Sequence, residues 1–501
     1  MAFKAYSFVN SGGLSHYFKY ICYPFTDMKK LLFTLVTTTF ASTLLAQTYQ
    51  VNLQSNVQSG IAYLTYHLGS NLNVEDSAAI SQTGLAVFKG NKTLPPGIYA
   101  IVFPGKKLSA DFLIGNEKKQ NITIKADTSN LINMQVSGSP EDVLFRQYQQ
   151  YVGKQGKLLN QERQAFLNAG NKEDSTLHEQ KYLAYNTELN NYRMGIITQQ
   201  PNSMMAILLN AMRESPYPTK KPITRQDSID NYQFYKSHYW DGISFMDDGV
   251  VRTPFFKTKL ENYYREVMPQ SPDSIIKDID YKLLLARNAP EVYKYMLNWL
   301  TDEYINPKYM GQDAVFVHLF NKYHSKGLTN WLNEKQMDAI TRRAYMLMAN
   351  LVGEQAANLE LIDINGKLSP LYNVKADFTV VSFWDPNCGH CKEEMPRIDS
   401  LYKANWKNKN VQIYAVMTEA DTMAWKKYIA DHNLGYWTNV YQSLEMMMEE
   451  KKQQQPSFKQ LYDITQTPTL YLLDKDKRII AKKLTPLQLN EMLEAKWKTR
   501  Q

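Results

Sequence analysis

The sequence predicts a multidomain chain in three parts: an N-terminal all-β sandwich, a central all-α region and a C-terminal α/β domain. Three observations predict it. Short runs of β-formers separated by Gly, Pro and Asn turns fill residues 47–138. The apolar spacing becomes helical at Ser139-Pro140-Glu141-Asp142 and stays so to about residue 350. From about residue 354 to residue 501, strand-length apolar runs alternate with helical ones.

Residues 1–46 read as an upstream extension plus a signal peptide. Met28-Lys29-Lys30 is a short basic start, which makes Met28 the expected first residue. Leu31 to Leu45 is apolar but Thr-rich and short for a membrane span, and Ala46-Gln47 offers a cleavage point. The expectation is export to the periplasm or cell envelope, with Cys22 lost from the mature chain. Transient membrane association would run through this N-terminus, and an uncleaved anchor is the alternative. The cleavage point lacks a Cys, so a lipoprotein is not indicated.

In the β part, Ile61-Ala62-Tyr63-Leu64-Thr65-Tyr66 is rich in β-formers. Gly97 to Phe103 follows a Pro95-Pro96-Gly97 turn, and Asn121-Ile122-Thr123-Ile124-Lys125 alternates. The first helix is announced by a capping Ser139, Pro140 at the first helical position and acids at the positive helix end. Val143, Phe145 and Tyr148 open one apolar face; Met204, Ile207, Leu208 and Met212 make another. Leu283, Leu284, Leu285, Val292, Met296 and Leu300 continue the pattern, which is broken at Ser215-Pro216-Tyr217-Pro218 and Pro269-Gln270-Ser271-Pro272. A bundle or short solenoid is expected. His238, His318 and His324 fall here without converging carboxylates at ligand spacing, and Asp313 and His318 are badly placed for one helical face, so no metal is expected. Tyr232, Phe234, Tyr235, Tyr239 and Trp240 read as core, with a groove as the other reading.

In the last part, Leu359 to Ile364 alternates and meets Asn365-Gly366, a hairpin turn. Phe378 to Phe383 is a buried-strand run, and helical spacing follows through Cys391, Met395, Ile398 and Leu401. Val411 to Val416 and Thr469 to Leu473 are further strands, Arg478 to Ala481 another, and Leu487 to Trp497 closes as an amphipathic helix.

Bulk numbers exclude some classes. Charged residues are 21% of the chain and the net charge is +8, of which the first 46 residues supply +3. No basic run with interleaved aromatics is present, so nucleic acid is not an expected partner. Three cysteines, Cys22, Cys388 and Cys391, are too few for a disulfide-stapled scaffold.

The close pair Cys388-Gly389-His390-Cys391 carries the chemistry. Exchange needs a thiolate, and a free cysteine near pKa 8.5 is mostly protonated at neutral pH. Cys388 falls where a strand ends and a helix begins, at the positive helix end, and a protonated His390 would add charge nearby. Cys391 lies one turn on. Cys388 is therefore the expected nucleophile and Cys391 the resolving thiol. A zinc knuckle is the competing reading, but the chain has no second Cys pair.

The stretch Phe383-Trp384-Asp385-Pro386-Asn387-Cys388-Gly389-His390-Cys391-Lys392-Glu393-Glu394-Met395-Pro396 resembles the active site of thioredoxin-like proteins of the TlpA/ResA type, and the resemblance covers residues from about 354 to 501. It implies a thioredoxin fold and a thiol–disulfide oxidoreductase of the bacterial envelope that uses no cofactor. Its partners would be protein thiols and disulfides and an envelope redox partner. The two upstream parts are similar to regions that precede such domains in some envelope proteins. By the same resemblance Trp384 packs beside the site, Pro468 is the cis-proline facing the disulfide, Thr467 offers backbone groups to an extended substrate, and Pro396 kinks the active-site helix. Two features depart from the pattern. Ser382 stands where thioredoxins carry a buried Asp, which leaves Glu419 as the candidate proton acceptor, or else as an exposed loop carboxylate. The Gly389-His390 pair is more typical of protein disulfide isomerase. Two other functions compete: a thiol-dependent peroxidase, disfavoured because Trp384 to Asn387 contains no Thr, and an envelope interaction protein in which the redox pair is secondary.

Overall fold

The computed structural model describes residues 49–218 and 221–498. The expected signal peptide, its start at Met28, and Cys22 lie outside the described residues.

Eight strands come first: β1 Tyr49–Ser55, β2 Ile61–Leu68, β3 Asn71–Ala79, β4 Leu85–Gly90, β5 Gly97–Val102, β6 Ser109–Ile114, β7 Gln120–Ala126 and β8 Gln135–Ser137. They form two four-stranded sheets, β4-β1-β7-β8 and β3-β2-β5-β6. Alternation decides which side chains face inward. Val51 and Leu53 of β1 and Ile122 and Ile124 of β7 meet Ala62, Leu64, Ile101 and Phe112 of the other sheet in one core. This is the expected sandwich.

The helical region follows without a gap. Its helices are α1 Pro140–Leu167, α2 Lys172–Gln199, α3 Met204–Met212, α4 Arg225–Ser237, α5 Phe256–Asn262, α6 Pro272–Leu285, α7 Pro290–Tyr304, α8 Asp313–Leu319 and α9 Glu334–Met348. Ser139 caps α1 by accepting the Asp142 N–H (3.3 Å) and donates to the Leu113 carbonyl of β6 (2.7 Å), so the cap also fastens the helix to the sandwich. Arg252 makes a bidentate pair with Glu291 (2.6 Å to each oxygen) and donates to the Tyr99 hydroxyl (3.2 Å), a second tie to the sheet.

The expected apolar faces hold except at three positions: Val143 is 49% exposed, Leu284 57% and Met212, the last residue of α3, 37%. The buried faces run through Phe145 and Tyr148, and through Leu283; Val143 and Leu284 lie just off those stripes, and Met212 lies at the end of its helix. Tyr239 and Trp240 pack in the helical core, whereas Phe234 stays exposed. His318 pairs with Asp280 (2.9 Å), not Asp313. Among the described residues no three His, Cys, Asp or Glu side chains converge as metal ligands. Among them also, no helix is long and apolar enough to cross a membrane.

The last region contains β9 Ile362–Asp363, β10 Phe378–Trp384, α10 Gly389–Leu401, β11 Val411–Met417, α11 Thr422–Asp431, β12 Thr438–Tyr441, α12 Leu444–Lys452, α13 Phe458–Leu461, β13 Thr469–Asp474, β14 Ile479–Lys482 and α14 Pro486–Lys498. The six strands order as β14-β13-β10-β11-β12-β9. β10, β11 and β12 are parallel and β13 is antiparallel to β10. β10 is buried throughout, and parity divides it. Phe378, Val380 and Trp384 face the side covered by α10, α11 and α14; Val381 and Phe383 face Phe458 and Tyr462 on the other. A thioredoxin-type sheet results. The alternating run from Leu359 yields only the two-residue β9, because Leu359 and Leu361 turn into the core and their carbonyls accept from Leu371 (3.0 Å) and Ser369 (2.8 Å) in an irregular hairpin. Gly366 supplies the positive φ (+82°) that the turn needs.

Candidate active site

Parallel β10, β11 and β12 end on one edge of the sheet, where crevices form in open α/β sheets. β10 runs off that edge into Asp385-Pro386-Asn387. The Asp385 carboxylate accepts the Asn387 N–H (2.9 Å) and the Asp385 carbonyl accepts the Cys388 N–H (3.2 Å), a tight turn that sets Cys388 at the N-cap of α10. Asn387 also donates to Asp421 beyond β11 (3.2 Å), linking two loops of the same edge.

The two cysteines occupy opposite environments, and both thiols are free. Cys388 is half-buried, and its Sγ lies 3.4 Å from the Thr467 carbonyl. Partial burial pushes its thiol up, but hydrogen bonding with the Thr467 side chain, with Cys391 and with the His390 main chain outweighs that and holds it below the ordinary value. Cys391 is 1% exposed, inside the core with Trp384 and Met395, and burial pushes it up to about 12 although the Asp385 N–H reaches its Sγ (3.5 Å). One thiol is poised to ionise, and the other stays protonated until something takes its proton.

The Thr467-Pro468 bond is cis and opens β13 beside β10. Trp384 is fully buried and packs against Tyr428 (5.1 Å between rings). Pro396 lies inside α10. Thus Cys388, Cys391, Thr467, Pro468 and Trp384 come together at one edge.

Residues 352–482 match the AhpC/TSA family model, and residues 49–145 match a domain of unknown function, DUF4369. The thiol–disulfide oxidoreductase ResA of Bacillus cereus is 26% identical over 143 residues, covering 28% of this chain and 75% of that protein. ResA of Bacillus thuringiensis is 27% identical over the same length and coverage. The C-terminal domain is a thioredoxin-like thiol–disulfide oxidoreductase of the AhpC/TSA family. Among solved structures, a domain of a possible thiol-disulfide isomerase from Cytophaga hutchinsonii is 37% identical, covers 30% of this chain and 95% of its own length, and superposes with a TM-score of 0.26.

Two expectations about this thioredoxin-like domain change. Glu419 follows β11 as expected, but its side chain is 57% exposed and pairs with Lys459 (3.0 Å), so the burial that would make it a base is missing. It is the loop carboxylate of the alternative reading, because β11 delivers it past the edge of the sheet into solvent. The His390 ring is exposed, and it is the His390 main chain, not the ring, that supports Cys388.

Sequence reading missed Tyr428. Its hydroxyl is buried without a hydrogen-bond partner, its ring packs on Trp384, and burial, with the nearby Cys391 charge adding, raises its phenol. The spacing of Trp425, Tyr428 and Ile429 was a usable signal for α11.

Proposed function

We propose that this chain exchanges disulfides with protein substrates in the bacterial cell envelope, with Cys388 as nucleophile and Cys391 as resolving thiol. The observation that carries the reading is the contrast between the two sulfurs: Cys388 at a helix N-terminus with its thiol below the ordinary range, Cys391 buried and pushed up to about 12. The Cys388 thiolate attacks one sulfur of a client disulfide and forms a mixed disulfide, releasing the other client sulfur as a thiolate. Cys391 gives up its proton, attacks Cys388 Sγ and releases the second client thiolate. Two electrons pass to the client and the pair ends oxidised; the reverse sequence oxidises a client dithiol. Thr467 borders the client, its backbone pairing to an extended segment with Pro468 fixing that edge, while Trp384, fully buried, packs beneath the site and does not touch the client. His390 contributes through its main chain. The envelope assignment rests on the basic and apolar pattern of residues 28–46, with an envelope redox partner resetting the pair.

Redox titration of the full chain in glutathione buffers tests this. One two-electron transition involving Cys388 and Cys391 is expected, with neither single Ser variant showing it. Persistence of the transition in Cys388→Ser would refute the assignment.

A further inference from the structure

The segment that brings Thr467 to the exchange site is anchored at its other end by the helical region. Just after α13 the chain passes through Asp463, which is fully buried and adopts a left-handed backbone (φ +47°). That conformation caps α13: the Asp463 N–H donates to the Gln460 carbonyl (3.2 Å) and the Ile464 N–H to the Lys459 carbonyl (2.8 Å). Two cations close on the carboxylate. Lys483 Nζ lies 2.6 Å from Oδ2, and Arg343 Nη1 lies 2.6 Å from Oδ1. Lys483 belongs to the thioredoxin-like domain itself, but Arg343 projects from α9, and its Nε–H donates to the Ile305 carbonyl (3.1 Å), which fixes the guanidinium plane. Asn350, just past α9, donates to the Leu461 carbonyl (3.0 Å). Burial raises the Asp463 carboxyl, but the bonds from Arg343 and Lys483 outweigh it and hold it below the ordinary range. Four residues on from Asp463, the Thr467 carbonyl meets Cys388 Sγ. A second tie between the same two regions joins Lys482 of β14 to Asp313 of α8; Lys482 Nζ also donates to the Asn350 carbonyl (2.7 Å) and Oδ1 (2.6 Å), so this tie meets the loop through Asn350 and not through Asp463.

We infer that Arg343 is a positioning residue for disulfide exchange: by gripping Asp463, the helical region fixes the loop from Asp463 to Pro468 and so the Thr467 groups that Cys388 meets. The inference rests on the assignment of exchange to Cys388. Without Arg343, a fully buried carboxylate keeps one cation of two, and the anchor that ties this loop to the helical region is lost. The loop relaxes, the Thr467 side chain, whose hydrogen bond holds the Cys388 thiol down, moves off the sulfur, and the thiolate loses that support.

The test uses the reduced full chain. In Arg343→Gln the pH midpoint of iodoacetamide reaction at Cys388 is expected to rise, and reduction of a model disulfide to slow about threefold or more. Arg343→Lys, which returns the charge to Asp463, is expected to restore both. Asp313→Asn weakens the β14 tie and is expected to leave the Cys388 midpoint at its wild-type value. If Arg343→Gln does not fold, Asp463→Asn takes its place with the same expectation. A wild-type midpoint and rate in the folded variant overturns the inference and leaves Cys388 as nucleophile. An equal shift in Asp313→Asn overturns it as well, since general loosening would then explain the effect. Exchange that survives Cys388→Ser overturns the underlying assignment instead.

Discussion

When the reduced chain meets limiting iodoacetamide at pH 7, Cys388 should be alkylated and Cys391 spared. With its thiol pushed up to about 12, Cys391 is thiolate in only about one molecule in 100,000 at that pH. An unperturbed cysteine near 8.5 is thiolate in about 3 in 100, and Cys388 lies below the ordinary range, so thiolate population alone favours it by more than about a thousandfold. Part of that advantage is returned, because nucleophilicity falls with pKa at a Brønsted slope of about 0.4–0.5, or about 25- to 55-fold over a gap of this size. About a hundredfold preference remains before access is counted, and Cys391 is 1% exposed. Peptide mapping by mass spectrometry at single-hit labelling reads the ratio. Raising the pH toward 9 should speed Cys388 labelling with Cys391 still silent. Comparable labelling of both residues at pH 7, or Cys391 reacting first, would refute the reasoning.

Other predictions follow from particular side chains. His390→Ala should leave the Cys388 alkylation midpoint close to wild type, since the main chain that supports the sulfur survives the substitution; a clear upward shift would restore a role to the ring. Glu419→Gln should leave both the attack and the resolution phases of stopped-flow disulfide reduction unchanged, because Glu419 is exposed and paired with Lys459; slowed resolution would contradict its surface position. His324 is 2% exposed and burial holds it down to about 4. Between an ordinary value of about 6.5 and 4, the unfolded chain binds a proton that the folded chain does not. Its contribution is therefore full above about pH 6.5 and lost as pH falls toward 4, about 3 kcal/mol in all. Guanidinium denaturation of His324→Gln should show a flatter pH dependence than wild type across that window, and parallel curves would refute the assignment.

The parts of the fold that were legible in the sequence are those with a strong period or a strong break. Ser139-Pro140 marks the first helix because a capping hydroxyl and a preset φ act locally, whatever packs around them. β10 and β13 were readable because central strands buried on both faces must be apolar throughout. The four residues of β12 and the short helices α12 and α13 passed unseen; Thr438-Asn439-Val440-Tyr441 offers too few residues to establish a period, and α12 buries none of its own. At the site, the cysteine pair and Thr467-Pro468 announce themselves by residue type and order. Depth does not: Glu419 follows a buried strand, yet the residue lands past the sheet edge, and only coordinates distinguish a base in a core from a carboxylate beside Lys459. The grip of Arg343 on Asp463 joins residues 120 positions apart and carries no local signature at all.

Trapping tests the division of labour between the sulfurs most directly. Full-length Cys391→Ser, mixed with an oxidised protein substrate and resolved on non-reducing gels, should accumulate a mixed disulfide through Cys388, because the attack proceeds and the resolving thiol is gone. Cys388→Ser should accumulate little or none. Adducts on Cys388→Ser, with none on Cys391→Ser, would contradict the account.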